Sequence, residues 1–182
     1  MSTDRGNDDW MNLPIAKANP NASKEVILSL PGKMQRADSY IDPSYSPGDI
    51  IYYPDGRPVE GQNLTAAETM EAAAVAAGCS GTVYAGSYGY FGVEDICSVV
   101  IWGHRGYEQR YYWGTGSKYE TTCMKGRGYY FDRSGYPVKK MWDLGCRKFH
   151  YTGVSVPWGN VIGNPSVRAA SLGLTQQVGW WV

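Results

Sequence analysis

Apolar and polar positions change from a helical to a strand period near residue 78. Before it, Thr65-Ala-Ala-Glu68 has the form of a capping box. Its threonine hydroxyl and glutamate carboxylate can each satisfy an exposed backbone N–H. Alanines then dominate to Ala77, and Gly78 supplies a left-handed stop, so a packed helix is predicted over 66–77. After it the period shortens to that of strands, predicted at 82–85, 96–102, 110–113, 120–124, 128–131, 138–142, 148–152 and 154–157. Upstream, residues 24–30 read as a first strand stopped by Pro31-Gly32. A second strand at 49–53 runs into the turn chemistry of Pro54-Asp55-Gly56. Residues 1–23 lack periodicity and read as a flexible N-terminal arm. Residues 167–172 suggest a helical turn, and 178–182 an edge strand or a tail docked by its tryptophans. The expected fold is α+β, one domain over 24–182. It consists of a mostly antiparallel twisted sheet or partial barrel, a β-meander, with one alanine-rich helix packed on it.

Composition sharpens this picture in the second half. Residues 80–182 hold 20 of the 25 aromatic residues and 17 of the 23 glycines, which suits short hairpins presenting rings. Net charge is zero, yet residues 1–79 carry six basic and eleven acidic side chains while 80–182 carry the reverse. That basic excess could face an anionic partner. Cys79, Cys97, Cys123 and Cys146 show no Cys-x-x-Cys spacing, which argues against a zinc knuckle and leaves three disulfide pairings or reduced core thiols open. The opening residues lack a charged-then-apolar signal pattern, and no apolar run is long enough to span a bilayer. Secretion or injection without a secretory signal peptide is therefore expected, with a cytoplasmic life as the alternative.

The stretch Gly-Tyr-Tyr-Phe-Asp-Arg-Ser-Gly-Tyr at 128–136, followed by Trp142, resembles the hairpins of cell-wall and choline-binding repeats. It also resembles the Tyr-Asp repeats of Rhs-type toxin shells. The layout of an alanine-rich helix, residues 94–100, an aromatic strand and Cys123 is similar to tip domains of bacterial polymorphic toxins. These resemblances imply a bacterial or phage-associated effector that binds an envelope glycan or a protein partner.

Candidate chemistry follows two lines. Tyr111, Tyr112, Trp113, Tyr129, Tyr130 and Trp142 would form stacking platforms for sugar rings, with Arg110, Arg127 and Arg133 facing anionic groups. The alternative is a Cys/His hydrolase or deamidase using Cys79 or Cys123 with His104, the histidine of the turn-like Gly103-His104-Arg105-Gly106. A third reading makes the aromatics simply core. Nucleic-acid binding through basic residues among tyrosines is the weaker expectation, because no RNP-type sequence occurs. Neither metal-ligand spacing nor a Walker or Rossmann glycine pattern is present, so no metal or cofactor is expected.

Overall fold

The computed structural model describes residues 22–36, 39–65, 68 and 79–182. Of the predicted helix, only the start falls within them. The Glu68 carboxylate accepts from the Thr65 N–H at 2.6 Å and the Thr65 hydroxyl accepts from the Glu68 N–H at 3.2 Å. This is the reciprocal capping box read from the sequence. Residues 66–67 and 69–77, and the arm up to residue 21, lie outside the described residues.

The segment expected as the first strand is instead a short helix, α1 (Lys24–Ser29), followed by α2 (Gly32–Gln35). Ser23 decides the matter by accepting a hydrogen bond from the Val26 N–H at 3.2 Å, an N-cap at the helix start. Val26 and Leu30, four residues apart, then pack on one side against a small core. Pro31 ends the helix by forcing Leu30 into extended backbone.

Twelve strands follow among the described residues: β1 (Tyr40–Ile41), β2 (Ile51–Tyr52), β3 (Ser80–Ala85), β4 (Asp95–Ile96), β5 (Val100–Trp102), β6 (Glu108–Thr115), β7 (Thr122–Phe131), β8 (Pro137–Arg147), β9 (His150–Pro157), β10 (Val161–Gly163), β11 (Ser166–Ser171) and β12 (Gln176–Trp181). The protein is β-rich, but its strands form three open four-stranded sheets, not the one sheet or partial barrel expected. A small sheet has the order β1-β10-β5-β2 and contains two parallel pairs. The other two, β4-β11-β7-β8 and β3-β12-β6-β9, are antiparallel throughout.

These two large sheets face each other across the main core, which contains Tyr111, Trp113, Met124, Leu144, Val167 and Trp180. Ring N–H and hydroxyl groups cross the layer to backbone carbonyls. Trp113 donates to Leu144 at 3.3 Å and Tyr111 to Arg127 at 2.8 Å, which satisfies polar atoms that burial would otherwise strand. Gly126 lets the 120–124 and 128–131 predictions merge into one long strand. A Cβ there would fall 2.9 Å from the Tyr111 ring, so the glycine makes room for an aromatic. Residues 166–171 form β11, not a helical turn. This strand lies between β4 and β7 with nearly every residue buried, so its sequence carries no alternation. The C-terminal strand β12 is interior, paired on both sides.

Candidate functional site

All four cysteines are oxidised in the pairs Cys79–Cys97 and Cys123–Cys146. Neither Cys79 nor Cys123 therefore carries a thiolate, and the expected Cys/His mechanism has no nucleophile in this state. His104 lies in an exposed turn, its Nδ1 3.0 Å from the Arg105 carbonyl and its ring against Tyr107. Among the described residues no cluster of His, Cys, Asp and Glu is arranged to hold a metal ion.

The aromatic platform expected from the sequence is also dismantled. Tyr111, Trp113, Tyr129 and Arg127 are buried. Neighbouring residues on a strand face opposite sides, so Tyr111-Tyr112-Trp113 could never present all three rings together. Tyr130 and Trp142 belong to the β7–β8 ribbon, where Lys140 lies over the Trp142 ring. Of the nine expected binding residues, Arg110 and Tyr112 are on the outer face of the β3-β12-β6-β9 sheet.

That outer face nevertheless carries a platform. Register places Trp181 opposite Tyr112, and Tyr151 opposite Gly114, all on the solvent side. The Tyr112 and Trp181 rings stack with centroids 5.6 Å apart and planes within 7°. Tyr151 leans on Trp181 from 6.0 Å, and the Arg110 guanidinium lies 5.3 Å from the Tyr112 centroid. Glycines make the floor. A Cβ on Gly153 would come 2.7 Å from the Tyr112 ring, and one on Gly114 would overlap the Tyr151 ring, so both rings lie flat across bare backbone. Above Gly179 the space is open, giving a shallow trough between Trp181 and the pair Gln177–Tyr84, whose side chains are joined by a 2.9 Å hydrogen bond. Tyr151 and Trp181 are 71% and 37% exposed, values that leave ring faces for a ligand.

The trough continues past the β3 edge into a groove of about 400 Å³ lined by Thr82, Tyr84, Gly92, Val93, Glu94 and Asp95. Its acidic wall is rigidly held. The Trp180 indole donates to Asp95 Oδ2 at 2.7 Å. Arg127 donates through Nη2 and Nε to Glu94 Oε1 at 2.7 and 3.1 Å, and the Ser166 hydroxyl donates to the same oxygen. Burial pushes the Glu94 carboxyl up, but these hydrogen bonds and the guanidinium charge outweigh it and hold the group below its usual range. Glu94 therefore meets solvent as an acceptor, not as an acid.

The sequence contained the missing ring residues. Tyr151 lies in the strand predicted over 148–152, and Trp181 in the 178–182 tail expected as an edge strand or docked by its tryptophans. What it lacked was the pairing that brings β12 between β3 and β6 and so sets Trp181 beside Tyr112. No protein-family model, curated protein or solved structure matches the chain.

Proposed function

We propose that the domain is a glycan-binding module whose ligand lies along the Tyr112–Trp181–Tyr151 platform and enters the groove beside Glu94. The observation that carries this reading is the pair of stacked, solvent-facing rings laid over a glycine floor. Pyranose rings offer flat C–H faces that pack on such rings, while Gln177, Tyr84, Thr82 and the Glu94 carboxylate can bond the hydroxyl rim. Charge decides between polymers. The outward positions of the four strands carry Glu108 and Arg110 as their charged residues, one of each sign. A nucleic acid needs several cations to replace its counterions, and this face does not supply them. A neutral or weakly charged polysaccharide fits. An envelope polysaccharide is the class to which the likeness of residues 128–142 to cell-wall-binding hairpins points.

The test is co-sedimentation with insoluble envelope polysaccharides, followed by titration calorimetry with soluble fragments of whichever binds. Trp181→Ala and Tyr112→Ala should each weaken binding by roughly ten-fold, equivalent to about 1.4 kcal/mol. Undiminished binding by both variants, or no binding to any polysaccharide tried, would remove the platform from function.

A further inference from the structure

The connections at one end of the two large sheets form a second surface, independent of the platform. Strands β3, β6, β8 and β11 end there and β7, β9 and β12 begin there. The segments joining them are stitched together. Tyr88 N–H donates to Gly173 and Gly89 N–H to Ser171, Leu172 N–H donates to Thr121, and Phe149 N–H donates to Ser117. Residues 86–92, 116–121, 147–149 and 172–175 therefore make one contiguous tip.

What this tip displays is not what a solvated loop cluster displays. Tyr88, Tyr90, Tyr119, Phe149, Leu172 and Leu174 are all exposed there, between 58% and 87%. Exposed apolar groups gathered in one patch mark an interaction surface. At the opposite end, in the 132–136 turn, Tyr136 is 37% exposed and stands among polar residues. Backbone conformation supplies a separate sign. Tyr88 and Phe149 are the non-glycine residues with positive φ among the described residues, at 55° and 34°. Both are aromatics held outward at this tip, where left-handed backbone disfavours large side chains.

Charge selects the occupant. The four tip segments carry Lys118, Arg147 and Lys148 against Glu120 alone. Lys118 reaches over the Phe149 ring at 5.4 Å, placing a cation beside an apolar group. Rings with a polar end, aliphatic side chains between them and a flanking cationic rim are the chemistry of a surface seated at a lipid–water boundary. We propose that this tip docks onto a bilayer surface carrying anionic headgroups, with Tyr88, Tyr90, Leu172 and Leu174 entering the headgroup layer and Lys118, Arg147 and Lys148 meeting the lipid charge.

Flotation of the full chain with vesicles tests this, using phosphatidylcholine alone and phosphatidylcholine with 30% phosphatidylglycerol. Binding to the anionic vesicles is expected, weakening at least ten-fold in Tyr90→Ser/Leu174→Ser and in Lys148→Glu, and falling with added salt. These side chains are exposed, so near-ultraviolet circular dichroism should be unchanged and loss of binding reads on the surface itself. Tyr136→Ser, at the other end, should bind like the parent. The proposal is overturned if the parent binds neither vesicle, if tip variants bind as well as the parent, or if Tyr136→Ser loses binding equally. It is also overturned if the tip variants abolish a concentration-dependent self-association instead, which would make a second copy the occupant. The polysaccharide assay reads the platform separately, so failure of either reading leaves the other standing.

Discussion

Asp42 and Glu94 are carboxylates drawn into the protein by one guanidinium. Arg127 is 1% exposed and donates to Glu94, to the Ser44 hydroxyl at 3.3 Å and to the Asn164 carbonyl at 3.0 Å. Asp42 accepts from the Tyr129 hydroxyl at 2.6 Å and from Ser44. Burial raises the Asp42 carboxyl, yet the Ser44 and Tyr129 hydrogen bonds outweigh it and leave it lowered, as at Glu94. Both groups therefore have folded pKa values below their unfolded ones, near 4. Their contribution is complete above the unfolded values and drains away as pH falls through the folded ones. The thermal midpoint should accordingly decline as pH drops below about 4. Glu94→Gln should make that decline shallower, as scanning calorimetry across pH would show. Glu94→Ala leaves the buried Arg127 without the carboxylate it pairs with directly, Asp42 remaining as the more distant counter-charge. It should cost about 2–3 kcal/mol, less than a fully buried pair because the Glu94 side chain is 27% exposed. Gly114→Ala is a different kind of change. The new methyl collides with a ring that is itself mostly exposed, so Tyr151 can swing away at little cost in stability while the platform loses its flat edge. Polysaccharide affinity should fall several-fold while the melting temperature moves by less than about 4 °C. Equal losses in both would mean that Gly114 matters only to folding.

Elements tell how much of the protein could be read from its residues. The capping box, the 53–57 turn and most strand positions were legible because each rests on local chemistry: a side chain reaching a nearby N–H, a glycine at positive φ, a run of β-branched and aromatic residues. Position within a sheet was not legible. Buried on both faces, β11 has no alternation to distinguish it from a helical turn. The stretch 24–30 has strand composition, yet a serine one residue earlier turns it into helix. The candidate site suffered most, because it depends on strand register: the same tyrosine pair that looks like a platform puts one ring in the core. The cysteines were equally ambiguous, since spacing alone leaves the pairing open. The bridge between Cys123 and Cys146 joins directly opposed residues of β7 and β8, close to the tip. Replacing both by serine should lower stability by about 2–4 kcal/mol in urea denaturation, with reduction of the parent moving in the same direction. No change in either experiment would mean that the long β7–β8 ladder alone fixes the hairpin.

At the scale of the molecule, the two surfaces point in different directions. The platform occupies the outward face of the β3-β12-β6-β9 sheet, so a ligand approaches across the strands. The tip caps the strand ends, so a bilayer would meet the molecule along them. Trp181 closes β12 at the end away from the tip, and Tyr112, in the middle of β6, lies beside it. Tyr151, one residue into β9, is the part of the platform nearest the tip. On the two proposals together, the chain would hold a polysaccharide against a membrane without either ligand displacing the other. Two ligands that bind distinct rigid surfaces with no shared two-state element should show little coupling. Saturating the parent with anionic vesicles should therefore shift its affinity for soluble polysaccharide fragments by less than about two-fold, or about 0.4 kcal/mol. Labelled polysaccharide should then float with the vesicles only when protein is present, and Trp181→Ala and Tyr90→Ser/Leu174→Ser should each break that bridge from its own side. A strong antagonism between vesicle and polysaccharide would instead mean that Tyr151 and the tip serve one ligand, and that the platform and the tip are a single binding surface bent around the end of β9.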